Sequence, residues 1–122
     1  MTEPTTAVAA VITEATEQLD ALTATTTAGA DLVVFPEATM CSFARPRVDV
    51  AEPFNGPWAG AVRTIAADAG LTVVVGMFTT TDTPQVQNTL LVTGNAVARY
   101  DKIHLFDALG YAESRQIRAG TD

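Results

Sequence analysis

Two short runs constrain this chain more than anything else in it: "DLVVF" at 31–35 and "LTVVVGMF" at 71–78. Each is apolar on both alternating sets of side chains and rich in valine, which predicts strands buried on both faces. Between them, "GPWAGAVRTIAADAG" predicts a helix, with Pro57 in its first turn and Gly70 just past its last. Trp58, Ala61, Val62, Ile65 and Ala69 form its expected apolar stripe. Two buried strands and a helix to cover them already favour a sheet layered against helices.

The rest of the chain extends that pattern. Val8, Val11, Ile12, Ala15, Leu19 and Leu22 recur at helical spacing over 6–28, with Thr5 or Thr6 available as a cap and Gly29 as a stop. Residues 38–56 read as irregular, broken by Pro46, Pro53 and Gly56. "VQNTLLV" and "AVARYDK" flank Thr93-Gly94-Asn95, a turn signal that makes them a hairpin. The order is helix, strand, helix, strand, strand, strand, then an irregular tail. That places the chain in the α/β or α+β class as a single domain, with no repeat, linker or internal boundary.

Composition narrows function mostly by exclusion. The net charge is −7, and the basic residues are scattered rather than gathered into a stripe. Nucleic acid and anionic membranes are therefore not expected partners. "MTEPTTAVAA" carries an acid where a secretory leader would carry Lys or Arg, and no run reaches membrane-spanning length. One cysteine excludes an internal disulfide framework, and one cysteine with one histidine argues against a structural zinc site. A cytoplasmic protein is the expectation.

Three places carry candidate chemistry. Glu37 follows Pro36 at the carboxyl end of the first strand, where ligands gather in open α/β sheets. A solvated loop acid is the commoner occupant of such a position. Lys102, the sole lysine, stands in "ARYDKIHLFD" on the side of Ala98 and Tyr100, a potential inner face. There it could oppose a developing oxyanion, although most lysines at strand ends are simply exposed. Glu113 in "GYAESR" means little singly. His104 reads as a packed or capping imidazole, and no spacing supports a Ser-His-Asp or Cys-His arrangement.

In combination these segments resemble a known family. "GADLVVFPEATM", then "RYDKIHLFD", then "YAES" and "AGTD" are similar to the nitrilase, or carbon–nitrogen hydrolase, superfamily. "GPWAGAVRTIAADAGLTVVVGMF" resembles its second helix and following strand, and "VQNTLLVTGNAVARYDK" its hairpin, including Asn88-Thr89. The resemblance implies an αββα sandwich and the hydrolysis of non-peptide C–N bonds in amides, carbamoyl amines or nitriles, with a tilt towards amides. It implies no metal or organic cofactor, and it implies dimerisation. It assigns Glu37 as general base, Lys102 as the oxyanion-stabilising lysine, and Glu113 as a second glutamate that positions substrate and base.

The family's cysteine nucleophile lies downstream of the lysine motif, beyond Asp122. Cys41 falls where the family has an ordinary loop or packing residue, so it is not expected to attack substrate. An apolar strand ahead of the first helix is also missing from "MTEPTTAVAA". The expectation is thus an incomplete domain, the N-terminal half of such a hydrolase, inactive alone. The alternatives are a non-catalytic partner of a fuller family member and the product of a degraded gene.

Overall fold

A computed structural model describes Asp20, residues 31–40 and residues 47–121. The helix expected over 6–28 lies outside the described residues except for Asp20, which is helical. Cys41 lies outside them too.

The sheet grows from the two valine-rich runs. β1 (Leu32–Val34) pairs in parallel with β2 (Thr72–Thr80), setting Val33 beside Val73. A parallel pair needs a crossover, and the chain between supplies a short helix, α1 (Arg47–Val50), and then α2 (Pro57–Ala69). β2 turns back into β3 (Val86–Thr93), and β3 into β4 (Ala98–Asp101), both antiparallel, giving a four-stranded sheet in the order β1-β2-β3-β4. The tail adds a two-stranded ribbon, β5 (Asp107–Ala108) with β6 (Tyr111–Ala112), and a 3-10 turn over Glu113–Arg115. The mixed α/β class matches expectation.

Alternation divides the sheet into two faces. Val73, Val75 and Met77 of β2 and Leu91 of β3 point at α2, where Trp58, Ala59, Val62 and Ala66 complete a closed core. Gly70 ends the helix in the left-handed region, φ 68°, and the next N–H, that of Leu71, reaches back to the carbonyl of Ala66 at 3.1 Å. The buried stripe is therefore rotated from the expected one. Ala59 and Ala66 are buried where Ala61 and Ala69 were expected, because theirs are the positions of the helix turned against the sheet. On the other face Phe78 meets Ala38, Val50, Val86 and Ile117.

Three further expectations are corrected. β1 is not buried on both faces: Val33 is buried, but Leu32 and Val34 are 57% and 66% exposed. Among the described residues β1 lies at the sheet's edge, and α2 reaches only the Val33 face. The stretch 38–56 is not wholly irregular, since α1 forms in it and Glu52 bridges to Thr79. The tail is ordered as well, because it lies along the sheet margin. Val86 donates to the carbonyl of Gln116 at 2.9 Å, and Arg118 donates to that of Val86 at 2.7 Å.

Candidate active site

Glu37 reaches its place through a glycine on the neighbouring strand. After β1 the chain turns sharply, with Ala38 in the left-handed region (φ 59°) and the Thr39 hydroxyl donating to the Pro36 carbonyl at 2.6 Å. The turn lies against the middle of β2 at Gly76, whose carbonyl accepts from Met40 N–H at 3.2 Å. A Cβ at position 76 would sit 2.5 Å from the Ala38 nitrogen and 3.1 Å from the Glu37 Cα. Only glycine permits that approach.

Lys102 is placed by strand register. Thr89 pairs with Asp101, so the next residue lies opposite Asn88, and the Lys102 N–H donates to the Asn88 carbonyl at 2.8 Å. The side-chain alternation expected from sequence holds: Ala98, Tyr100 and Lys102 share a side. That side is not the inner face of the helix-covered core, however. Arg99 and Asp101 occupy the helix side, and Tyr100 is 46% exposed.

The helix side of β4 is pinned by a closed circuit of polar groups. Arg99 Nη2 donates to Thr79 Oγ1 at 3.3 Å, and the two threonine hydroxyls of Thr79 and Thr89 are 2.7 Å apart. Thr89 donates to Asp101 Oδ1 at 2.7 Å, and Arg99 Nε closes the ring onto the same oxygen at 3.1 Å. A hydroxyl has one proton, so Thr79 must be the donor to Thr89. The circuit fixes the residue immediately before Lys102.

Glu113 opens the 3-10 turn. Its N–H donates to the Phe106 carbonyl, and its own carbonyl accepts from Gln116 and Ile117, each at 3.0 Å. Asp107 braces the turn by accepting from the Ser114 N–H at 3.0 Å, and the bonds with Ser114 hold the Asp107 carboxyl below the usual value.

These segments deliver three charges to one point. Lys102 Nζ lies 2.9 Å from Glu37 Oε1, 3.2 Å from Glu113 Oε1 and 3.3 Å from Glu113 Oε2. Only the Oε2 contact to Glu113 is aligned as a hydrogen bond. Oε1 of Glu113 is buried and has no hydrogen-bond partner among the described residues. Burial pulls the Lys102 ammonium down, but hydrogen bonds to Glu37 and Glu113, with their charges, outweigh it and hold the group above its ordinary value. Lys102 is a fixed cation at neutral pH.

The cluster opens into a cleft of about 600 Å³, with Glu37, Asn88, Lys102 and Glu113 on one wall and Phe78 and Tyr111 among its apolar lining. A second cavity of about 210 Å³ also borders Glu37, Asn88 and Lys102, with Leu90 and Tyr100 in its lining. The polar wall can take up a proton at a carboxylate and stabilise negative charge beside an ammonium, within reach of a small apolar group.

All three sequence candidates therefore meet. His104 does not join them; it is exposed rather than packed. Asn88 was visible only as half of an Asn-Thr pair, although it is 8% exposed and donates to Glu37 Oε1 at 2.6 Å. Its signal was composition: asparagine is disfavoured within a strand, so one inside "VQNTLLV" has a specific task. Among the described residues no three His, Cys, Asp or Glu side chains gather as a metal site, and no helix is long and apolar enough to cross a membrane.

Comparison with known proteins adds kinship to this geometry. The family model described as carbon–nitrogen hydrolase matches residues 5–121. Hydrolase Rv0480c of Mycobacterium tuberculosis is 54% identical over 101 residues, 79% of this chain and 36% of that protein. Deaminated glutathione amidase of Escherichia coli O157:H7 is 32% identical over 96 residues, 75% of this chain and 37% of that enzyme. The chain thus spans little more than a third of the curated relatives it matches. Among solved structures, XC1258 of Xanthomonas campestris, a CN-hydrolase superfamily protein, aligns with a TM-score of 0.72 and 28% identity, covering 89% of this chain and 42% of that one. An amidase of the nitrilase superfamily from Nesterenkonia sp. AN1 shares the fold at a TM-score of 0.69 and 19% identity, over 92% of this chain and 44% of that enzyme. The α/β arrangement is part of the fold these proteins share.

Proposed function

Because this chain belongs to the carbon–nitrogen hydrolase family, we propose that it carries the acid–base and oxyanion side of an amidase-type site. Glu37 is the general base, Lys102 the oxyanion cation, and Glu113 the second glutamate that orients substrate and base. The single observation carrying this reading is the meeting of Glu37, Lys102 and Glu113 around one ammonium, at 2.9 and 3.2 Å, on the wall of a cleft.

The chemistry follows from what each group can do. A thiol is mostly protonated at neutral pH, so Glu37 takes its proton as sulfur attacks the amide carbon. The carbonyl electron pair moves to oxygen, and Lys102 stabilises that oxyanion. As the C–N bond breaks, Glu37 returns the proton to the departing nitrogen, leaving a thioester. Water, deprotonated by Glu37, then releases the acid and restores the thiol. No cofactor enters this scheme. Carbamoyl substrates follow the same steps. A nitrile would first add the thiol across C≡N, the Glu37 proton going to nitrogen, and the thioimidate would need one water to release ammonia and reach the same thioester. Amides are the substrates we propose.

Cys41, the only thiol in the sequence, is not the attacking atom in this proposal. Glu37, Lys102 and Glu113 take the acid–base and oxyanion roles, and the nucleophilic role is left to a cysteine other than Cys41. A cytoplasmic setting and a homo-oligomer accompany the reading. A second reading, a non-catalytic partner that binds a fuller family member, is favoured by the exposed Leu32, Val34 and Tyr100 on one sheet face. A stable complex with such a homologue on size-exclusion chromatography would support it.

The test is ammonia release from a small aliphatic amide by the protein purified from its native host. Glu37→Gln and Lys102→Ala are each expected to abolish turnover, whereas Cys41→Ser leaves it intact. Full activity in Glu37→Gln would overturn the assignment of the base. Turnover by the 122-residue chain that disappears in Cys41→Ser would overturn the assignment of the nucleophile.

A further inference from the structure

We propose that Asn88 is a positioning residue that decides which oxygen of Glu37 takes the proton. The inference rests on the reading of Glu37 as general base and adds the group that aims it. Glu37 Oε1 accepts from Asn88 Nδ2 at 2.6 Å and from Lys102 Nζ at 2.9 Å. Among the described residues no group donates to Oε2. An oxygen that already accepts two hydrogen bonds is a poor proton acceptor, so the proton goes to Oε2.

The geometry assigns the task to Asn88 for two reasons. Its side chain crosses 51 positions of sequence to reach Glu37, while its own main-chain carbonyl accepts the Lys102 N–H at 2.8 Å. One residue thereby sets the position of both the base and the cation. The second reason is rigidity. The Glu37 side chain is 54% exposed and would otherwise keep rotamer freedom, whereas Asn88 is buried in β3 beside Phe78 of β2. A buried amide bonded to the carboxylate fixes the side chain at the Oε1 end and leaves Oε2 to turn towards the reacting proton.

Asparagine suits this place chemically. A carboxylate only accepts, so the amide presents its nitrogen. Aspartate has the same shape but no donor and would add a like charge. Leucine has the volume but no polar atom. In the proposed cycle the thiol proton moves to Oε2 and later leaves from Oε2 to the departing nitrogen, while Oε1 keeps its bond to Asn88 throughout.

The experiment uses the protein from its native host, carrying Asn88→Asp or Asn88→Leu, with Glu37→Gln as reference. The expected result is a kcat lowered roughly 10- to 100-fold with KM changed less than about twofold, as for a misaimed catalytic group. Wild-type kcat in both Asn88 variants, with Glu37→Gln inactive, would overturn the positioning role alone. Wild-type kcat in Glu37→Gln would instead overturn the reading of Glu37, and this inference with it. Should the Asn88 variants fail to fold, the side-chain amide protons of Asn88 decide the matter by NMR. One of them is expected far downfield in the unaltered protein and shifted back in Glu37→Ala. An unchanged resonance would contradict the proposal.

Discussion

Glu37 and Lys102 stand 65 positions apart in sequence, yet their charged ends meet at 2.9 Å. The contact joins the turn after β1 to the end of β4 across the width of the sheet. Neither side chain is deeply buried: Lys102 is 28% exposed and Glu37 54%. An isolated pair with that exposure would contribute little to stability. Glu113, with its side chain 14% exposed, supplies the second carboxylate and makes the cluster a coupled unit.

The cluster gives alkaline stability a definite sign. Lys102 titrates above its ordinary value of 10.5 in the folded state, so its contribution to stability is full below that value. The contribution is lost as pH rises through the raised folded value. Thermal melts from neutral to strongly alkaline pH should show Tm falling there, and Glu37→Gln should flatten the fall. Identical alkaline profiles for the two proteins would show that the pair is not coupled to folding.

Gly76→Ala should act at a distance from its own strand. The new Cβ would lie 2.5 Å from the Ala38 nitrogen, so the turn carrying Glu37 must move outward. Denaturant unfolding should report a loss of about 1–3 kcal/mol, typical of overpacking. The Asn88–Glu37 bond should weaken with it, seen as an upfield return of the Asn88 amide proton. A neutral effect on both would mean that the turn does not depend on this approach.

Thr89→Val removes one hydroxyl from the circuit on the helix side of β4. Asp101 loses a donor at 2.7 Å, and the buried Thr79 hydroxyl loses its acceptor. The expected cost is about 1–3 kcal/mol, measured by urea unfolding, because the groups left behind are largely desolvated. Thr79→Val should cost a similar amount. The double variant should cost less than the sum, since both substitutions break the same circuit.

Much of this was legible in the sequence because the relevant signals were local. Alternation in "LTVVVGMF", Pro57 and Gly70 around the helix, and the Thr-Gly-Asn turn each specified their elements through short-range physics. The burial of "DLVVF" was misjudged because exposure depends on what lies over a face, which a run of five residues does not encode. Helix rotation failed for a similar reason: Ala59 and Ala66 match the alanines beside them in type, and only contact with the sheet selects them. The site was readable as three separate residues whose convergence came from family resemblance. Asn88 stayed silent because its role needs the register of β3 against β4 and the Gly76 approach at once.

Lys102 is the only lysine in the chain, so lysine labelled at Cε gives a single NMR resonance whose pH titration reads the cluster directly. The account predicts a midpoint above 10.5 that drops when Glu37 is replaced by glutamine and drops further when Glu113 is replaced as well. A midpoint at or below 10.5, unmoved by either substitution, would mean that the three groups do not form a charge-coupled site, and the assignment of base and cation would fall.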